Sequence, residues 1–254
     1  MNTVFPNFQI IRIPQTASTN TYLLELTNEK KLAEGSLVVT DNQTLGRGQS
    51  GNSWESEPGA NLTFSVILYP ATVMASDQFI VSKAISLALF DFISEMVPDG
   101  VSIKWPNDLY VGDKKIAGIL LENFIEGAYL TKTIAGIGMN INQERFFSDA
   151  PNPVSLRQLT GKTYPLENCL KILHARIAAC YRMITEDAEK INSNYLRHLY
   201  RFGKLSRFCA DGLFFDATIT GVNRYGMLEM TDANGECRAF GFKEVRFERG
   251  DEIL

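Results

Sequence analysis

The chain has 254 residues, 45% of them apolar and 21% charged, with a formal net charge of −4 at pH 7. That composition is ordinary for a folded globular protein and excludes disordered and fibrous classes. The acidic balance argues against nucleic acid as a main partner, since proteins that neutralise phosphates are normally basic. No uninterrupted apolar run reaches the ~18 residues of a membrane helix. The N-terminal MNTVFPNFQI lacks the basic start and apolar core of a signal peptide, so a cytoplasmic chain with no membrane partner is expected.

In chain order, Phe8 to Ile13 alternates and predicts a short strand ending at Pro14. Ser18-Thr19-Asn20 precedes Tyr22 to Leu26, a short helix with hydroxyl and amide side chains at its start. Ser36 to Thr40 is β-branched and predicts a strand. Asp41 to Gly59 has no periodicity and holds four glycines, with Arg47 between two of them. Asn61 to Tyr69 is the strongest strand signal. Ser76 to Val97 predicts a helix, with Ile80, Ala84, Ala88 and Phe92 on one face. Val101 to Lys104 predicts a strand, and Leu109 to Val111 with Lys115 to Glu122 a hairpin around Gly112-Asp113. Thr131 to Asn142 predicts another strand, and its two glycines suggest close passage past something. Pro151, Pro153 and Pro165 mark a loop region with a short helix at Ser155 to Thr160, followed by helices at Leu166–Ile184 and Glu186–Tyr200. From Leu205 onward short alternating runs are separated by Asp211-Gly212, Tyr225-Gly226 and Asn234-Gly235, which are hairpin signals of a small β-barrel. A boundary near Lys204 divides a main domain, 1–204, from a β-rich domain, 205–254.

The four cysteines, Cys169, Cys180, Cys209 and Cys237, are far apart, and His174 and His198 lie in charged helical sequence. Neither metal clusters nor Ser-His-Asp or cysteine nucleophiles fit these spacings. Chemistry concentrates elsewhere, in three segments. Gly46-Arg47-Gly48-Gln49-Ser50-Gly51-Asn52-Ser53-Trp54 is either a flexible surface loop or a backbone that turns its N–H groups toward a phosphate. Lys104-Trp105-Pro106-Asn107-Asp108 is followed after six residues by Lys115-Ile116-Ala117-Gly118, so Asp108 and Lys115 can face one site from adjacent hairpin strands. Gly136-Ile137-Gly138-Met139-Asn140 ends in a side chain that both donates and accepts, as a base edge requires.

At this order and separation the three segments, with Ser18-Thr19-Asn20, resemble the biotin–protein ligases from about Ser18 to Asn142. The β-rich tail resembles that family's SH3-like C-terminal domain more weakly. The resemblance implies an α+β fold: a mixed β-sheet backed by helices plus a small C-terminal barrel. It implies biotin and ATP as substrates, Mg²⁺ with the ATP, and a biotin carboxyl carrier protein or domain as partner. The implied reaction forms biotinyl-5′-AMP and pyrophosphate, then passes the biotinyl group to a carrier lysine.

Biotin's carboxylate is ionised at pH 7, since such acids titrate near ~4–5, so activation needs no general base. It needs two anions held in line against their repulsion. Lys115 is assigned to the biotin carboxylate and α-phosphate, and Arg47 to phosphate and loop ordering. The carrier lysine starts near ~10 and must lose a proton. Asp108 either orients that ammonium or hydrogen-bonds the ribose. By resemblance Ser18, Thr19, Asn20 and Gln43 meet the ureido ring, Trp54 and Gly118 pack on its apolar part, and Gly46, Gly48 and Gln49 join the same site. Lys104, Asn107 and Asn140, with Arg47, Gln49, Trp54 and Lys115, fall to the nucleotide, Asn140 reading adenine; Phe146 or Phe147 either stacks on the base or joins the core. No metal ligand is assigned to the side chains.

Many relatives carry Arg directly after Gly-Arg-Gly, where this chain has Gln49. The lost charge predicts an enzyme that holds its adenylate less tightly. Some relatives carry a helix-turn-helix domain ahead of the ligase domain; here the strand before Ser18 begins almost at once, so the expectation is a short form without it. A lipoate or octanoate ligase, and a non-catalytic module binding biotin or nucleotide, are the alternatives. KWPND and the Gly-Arg-Gly loop speak against the first, and the presence of both Arg47 and Lys115 against the second. Monomer and homodimer both stay open. For the last 50 residues, so do carrier contact and closure over the nucleotide.

Overall fold

The computed structural model describes residues 4–147 and 152–248. The N-terminal three residues, Pro151 of the predicted loop and residues 249–254 lie outside the described residues. Seven strands form one sheet: β1 (Ile10–Thr16), β2 (Leu37–Gln43), β3 (Leu62–Leu68), β4 (Val101–Lys104), β5 (Asp108–Val111), β6 (Lys114–Glu126) and β7 (Tyr129–Met139). Their order is β1-β2-β3-β7-β6-β5-β4. β1 and β2 run parallel, and the other pairs are antiparallel. The sheet is therefore mixed, as expected. β1 continues through Pro14, where the sequence predicts an end. It is an edge strand, which tolerates a residue without an N–H.

Side-chain alternation gives the sheet two unlike faces. Leu62, Phe64, Val66 and Leu68 of β3, with Ala135, Ile137 and Met139 of β7, enter the main core. That core lies under α2 (Phe79–Ser94), α4 (Leu166–Glu186) and α5 (Ala188–Arg197). The intervening residues face α1 (Thr19–Glu29), where Leu23, Val38, Ile67 and Ile134 form a smaller apolar cluster. Beyond that cluster this face carries Thr63, Ser65, Gly136 and Gly138, which are small or polar. A strand cannot bury apolar side chains where it has none, so the α1 face is left with a floor on which something else can lie.

The sequence predicts one apolar stripe on α2. In the structure residues 81–89 of this helix are all buried. α4, α5 and strands β4–β6 of the main sheet surround it, and Lys83 reaches the Val222 carbonyl of the C-terminal strands, so the flanking apolar positions are core positions too. A short helix, α3 (Leu156–Thr160), starts at a capping box between Ser155 and Gln158 and stops at Gly161 in the left-handed region.

The C-terminal strands are β8 (Leu205–Ala210), β9 (Leu213–Val222), β10 (Leu228–Asp232), β11 (Cys237–Phe240) and β12 (Arg246–Phe247). They pair antiparallel in the order β11-β10-β9-β8-β12. The predicted small β-rich unit is thus present as an antiparallel sheet, with β11 and β12 as its outer strands among the described residues. Phe208, Ile219, Val222, Leu228 and Val245 extend the main core without a break. The turn before β10 reaches back, and Trp105 Nε1 donates to the Gly226 carbonyl at 2.8 Å. Among the described residues no helix is long and apolar enough to cross a membrane.

Candidate active site

A cavity of about 710 Å³ lies on the α1 face, a size usual for small-molecule sites. Its walls come from the start of α1, the end of β2, the glycine segment, the β4–β5 turn, β6, β7 and the C-terminal strands. Ser18, Thr19, Asn20, Gln43, Arg47, Gly48, Gln49, Trp54, Lys104, Asn107, Asp108, Lys115 and Gly118 all line it. Segments from Ser18 to Glu248 thus converge on one hollow.

One end is neutral and polar. Ser18 begins α1, yet its side chain makes no cap. The hydroxyl and amide groups there serve a lateral network instead. The backbone N–H of Thr19 donates to Gln43 Oε1 at 2.9 Å, and Thr19 Oγ1 lies 3.2 Å from the same oxygen. Ser65 Oγ lies 2.7 Å from Thr19 Oγ1 and 2.6 Å from Asn20 Oδ1. Ser65 and Asn20 are buried and mutually bonded, which removes the cost of leaving them unpaired.

The glycine segment is neither a flexible loop nor an open cradle. Arg47 and Ser53 form an antiparallel bridge. The N–H of Gly48 donates to the Asn52 carbonyl at 2.7 Å, and that of Trp54 to the Gly46 carbonyl at 2.9 Å. These amides are spent within a small hairpin, so at Gly48 and Trp54 the expected inward-turned N–H groups are absent. Gly46 serves that hairpin rather than the cavity wall: a Cβ there would fall 2.5 Å from the Trp54 carbonyl oxygen.

The hairpin delivers Trp54 onto the sheet. Its indole lies over Gly138, where a Cβ would come within 2.3 Å of the ring, and beside Gly118 on the paired strand. Trp54 Nε1 is buried and has no hydrogen-bond partner among the described residues. Above this floor Lys115 Nζ stands 2.7 Å from Asp108 Oδ1 and 5.6 Å from the Trp54 ring centre. Arg47 donates to Thr21 Oγ1 at 3.1 Å and to Glu122 Oε1 at 3.2 Å. A guanidinium from the glycine hairpin and an ammonium from β6 therefore border the same hollow.

The other end is cationic and aromatic. Lys104 Nζ lies 3.2 Å from Tyr110 Oη and 5.2 Å from the Phe247 ring centre. Arg201, Lys243 and Arg246 line this end with Asp113 and Glu248. Tyr200 also lies here and donates to Asp113; burial raises its phenol pKa first, and that hydrogen bond adds to the rise.

Three expectations need correction. Asn140 does not line the cavity: β7 ends at Met139, and the buried Asn140 amide donates to the Val154 carbonyl at 3.1 Å. The turn that carries it packs on the 152–156 segment, so the strand alternation that would aim it at a ligand no longer applies. Asn107 reaches the wall, but its amide donates to the Ile119 carbonyl at 2.7 Å and ties the turn to β6. Phe146 and Phe147 lie off the cavity, with Phe147 exposed. Neither histidine and none of the cysteines lines it; burial lowers the His174 pKa and raises the Cys180 thiol to about 12.

Sequence reading missed Ser65, Glu122, Tyr200, Arg246 and Phe247. Ser65 left a signal, a lone hydroxyl inside an apolar central strand. The C-terminal residues left none, because only folding brings their strand to this cavity.

A seven-stranded mixed sheet backed by helices, with a small C-terminal sheet, matches the fold of a solved ligase. The biotin protein ligase from Aquifex aeolicus in complex with biotin and ATP matches with a TM-score of 0.76 at 24% identity, over 95% of this chain and 99% of that one. The model of the biotin/lipoate A/B protein ligase family matches residues 12–140, and the chain belongs to this family. A biotin–[acetyl-CoA-carboxylase] ligase from Paracoccus denitrificans is 31% identical over 168 residues, 63% of this chain and 68% of that protein. The bifunctional ligase/repressor BirA of Bacillus subtilis is 37% identical over 151 residues, 58% of this chain and 45% of that protein. The match thus spans less than half the length of that relative.

Proposed function

We propose that this protein activates biotin with ATP and transfers the biotinyl group to a lysine of a biotin carboxyl carrier protein or domain. One observation carries the reading: Arg47 and Lys115 border a single hollow that runs from a neutral hydrogen-bonding end to a cationic end. Biotin has that same division, a neutral ureido ring at one end and a carboxylate at the other. The complex of the Aquifex aeolicus enzyme with biotin and ATP supports the same pair of substrates.

In the first step a carboxylate oxygen attacks the α-phosphorus, and the bond to the bridging oxygen breaks to release pyrophosphate. Lys115 neutralises the carboxylate and the α-phosphate oxygen together, and Arg47 supplies a second positive charge. Lys104 and Arg246, at the far end, suit the triphosphate tail. Mg²⁺ is hard and prefers oxygen; it travels with phosphates and takes one or two carboxylates, and Asp113 and Glu248 stand at that end. When bound it would screen phosphate charge. In the second step the carrier amine attacks the acyl carbon and AMP leaves. Asp108 is placed to hold the incoming ammonium and take its proton, after exchanging its present partner Lys115. The Paracoccus denitrificans relative, a biotin–[acetyl-CoA-carboxylase] ligase, supports a carboxylase carrier as acceptor. An ATP-consuming step on a carrier protein is consistent with a cytoplasmic location.

The test is the intact mass of a biotin carrier domain after incubation with the protein, Mg-ATP and biotin. A gain of one biotinyl group is expected, with none when lipoate replaces biotin or ATP is omitted. No gain, together with no biotin-dependent pyrophosphate release, overturns the reading.

A further inference from the structure

Glu122 lies outside every segment that motif reading singles out, yet it touches both the neutral network and the glycine hairpin. On β6 it shares the cavity face with Gly118 and Leu120. Its Oε2 accepts from Asn20 Nδ2 at 2.8 Å, and its Oε1 accepts from Arg47 Nη2 at 3.2 Å. Asn20 is pressed against β7, where a Cβ on Gly136 would fall 2.3 Å from its Oδ1. Its amide has two orientations, and an ionised carboxylate accepts without donating. Glu122, with the shorter contact, and the Leu120 carbonyl at 3.3 Å together select the orientation with Nδ2 outward toward β6 and Oδ1 toward the Ser65 hydroxyl. That choice turns Asn20 Oδ1 toward the Ser65 hydroxyl at 2.6 Å, and the same hydroxyl lies 2.7 Å from Thr19 Oγ1, whose own proton points to Gln43 Oε1.

We infer that Glu122 is a positioning residue that holds the Asn20 amide toward Ser65 through one oxygen and tethers Arg47 through the other. The ring end of the cavity and the cation on the glycine hairpin are thereby coupled through one side chain. This inference rests on the ligase reading for the identity of the two ligands. The Glu122 and Arg47 side chains are 31% and 48% exposed. A pair that exposed adds little to folding stability, so its role lies in geometry.

Two substitutions separate the halves. In Glu122→Gln the amide oxygen keeps Asn20 oriented, but its NH₂ faces Arg47 and the tether is lost. In Glu122→Leu both contacts are lost. Calorimetry with biotin alone is expected to show E122Q within about twofold of wild type and E122L weaker by about tenfold, the loss of an acceptor for a buried amide. In pyrophosphate-release assays E122Q is expected to raise KM for Mg-ATP about fivefold, the scale of an exposed ion pair. In an Arg47→Ala background the same change is expected to add nothing. If E122L does not fold, E122Q with and without R47A still decides the tether. Equal biotin affinities for folded E122L and wild type, an unchanged KM in E122Q, or an E122Q effect that persists in R47A would each overturn the assignment. A wild-type protein with no biotin binding and no biotin-dependent pyrophosphate release would instead overturn the ligase reading.

Discussion

Gly138→Ala adds one methyl group beneath the cavity floor. A Cβ at this position lies 2.3 Å from Trp54 Cε2, 2.6 Å from Nε1 and 2.7 Å from Cζ2. Carbon atoms rest at ~3.5 Å or more, so the indole must retreat by about 1.2 Å. The sheet cannot yield instead, because Ile137 and Met139 on the other face are buried in the main core. Trp54 is only partly buried, and its open direction is the cavity. The methyl group therefore narrows the binding space and leaves the core intact. Forcing the ring back on ligand binding costs about 1–3 kcal/mol, the usual range for overpacking. That converts to biotin binding weaker by about 5- to 150-fold. Gly118→Ala is the matched control on the paired strand: its Cβ meets Trp54 Cζ3 and Lys115 Nζ at 3.3 Å. A shift of a few tenths of an ångström relieves that, and a smaller loss, below about fivefold, is expected. Calorimetry gives the affinities, indole fluorescence reports the ring, and thermal unfolding reports the fold. Binding of G138A within twofold of wild type would refute this account. So would a fall in melting temperature of more than about 8 °C, which would assign the glycine to core packing.

Lys115→Ala is expected to lower biotin-dependent pyrophosphate release by about 10²–10³-fold, as for removal of a single charge-stabilising group; a loss under tenfold would remove Lys115 from the first step. Gln49→Arg is expected to slow escape of the adenylate, read as intermediate retained after rapid gel filtration, and an unchanged escape rate would separate Gln49 from retention. Lys83 is buried between Phe79 and Tyr195 and hydrogen-bonded to Asn192 Oδ1 and the Val222 carbonyl. Burial lowers its pKa to about 8, partly offset by Glu229. The unfolded chain then binds the extra proton between about pH 8 and 10.5, so stability rises with pH across that window, by an amount on the order of 3 kcal/mol. The difference between wild-type and Lys83→Met unfolding curves should carry that rise, and parallel curves would contradict it. His174 is held neutral by burial, against the opposing pull of the hydrogen bond between its Nε2 and the Gly35 carbonyl. The unfolded chain takes up its proton first, so stability should fall as pH drops below about 6.5. The fall should be shallower in His174→Gln, as urea midpoints would show.

Much of the fold is legible in local pattern. The β-branched alternation of β3, the turn before Lys115 and the glycine-marked hairpins after Leu205 place most strands within a few residues. α2 shows where this stops. Its spacing indicates one apolar stripe, but a local pattern cannot tell how many neighbours a helix will have, and here it is enclosed on nearly all sides. The candidate site divides the same way. Arg47, Trp54, Asp108 and Lys115 stand in motifs whose composition is odd for packing. Asn140 stands in such a motif as well, yet it leaves the wall because its strand ends one residue earlier.

The order of residues alone determined which chemical groups are available: an arginine in a glycine-rich turn, a lysine and an aspartate on adjacent strands, and hydroxyls and an amide at a helix start. Tertiary structure alone decided which of them share a hollow. A side chain's direction follows from strand register and from where each strand stops, and its partners come from segments more than 100 residues away. Glu122 acquires its two contacts, and Phe247 its place beside Lys104, only when the sheet closes around the cavity.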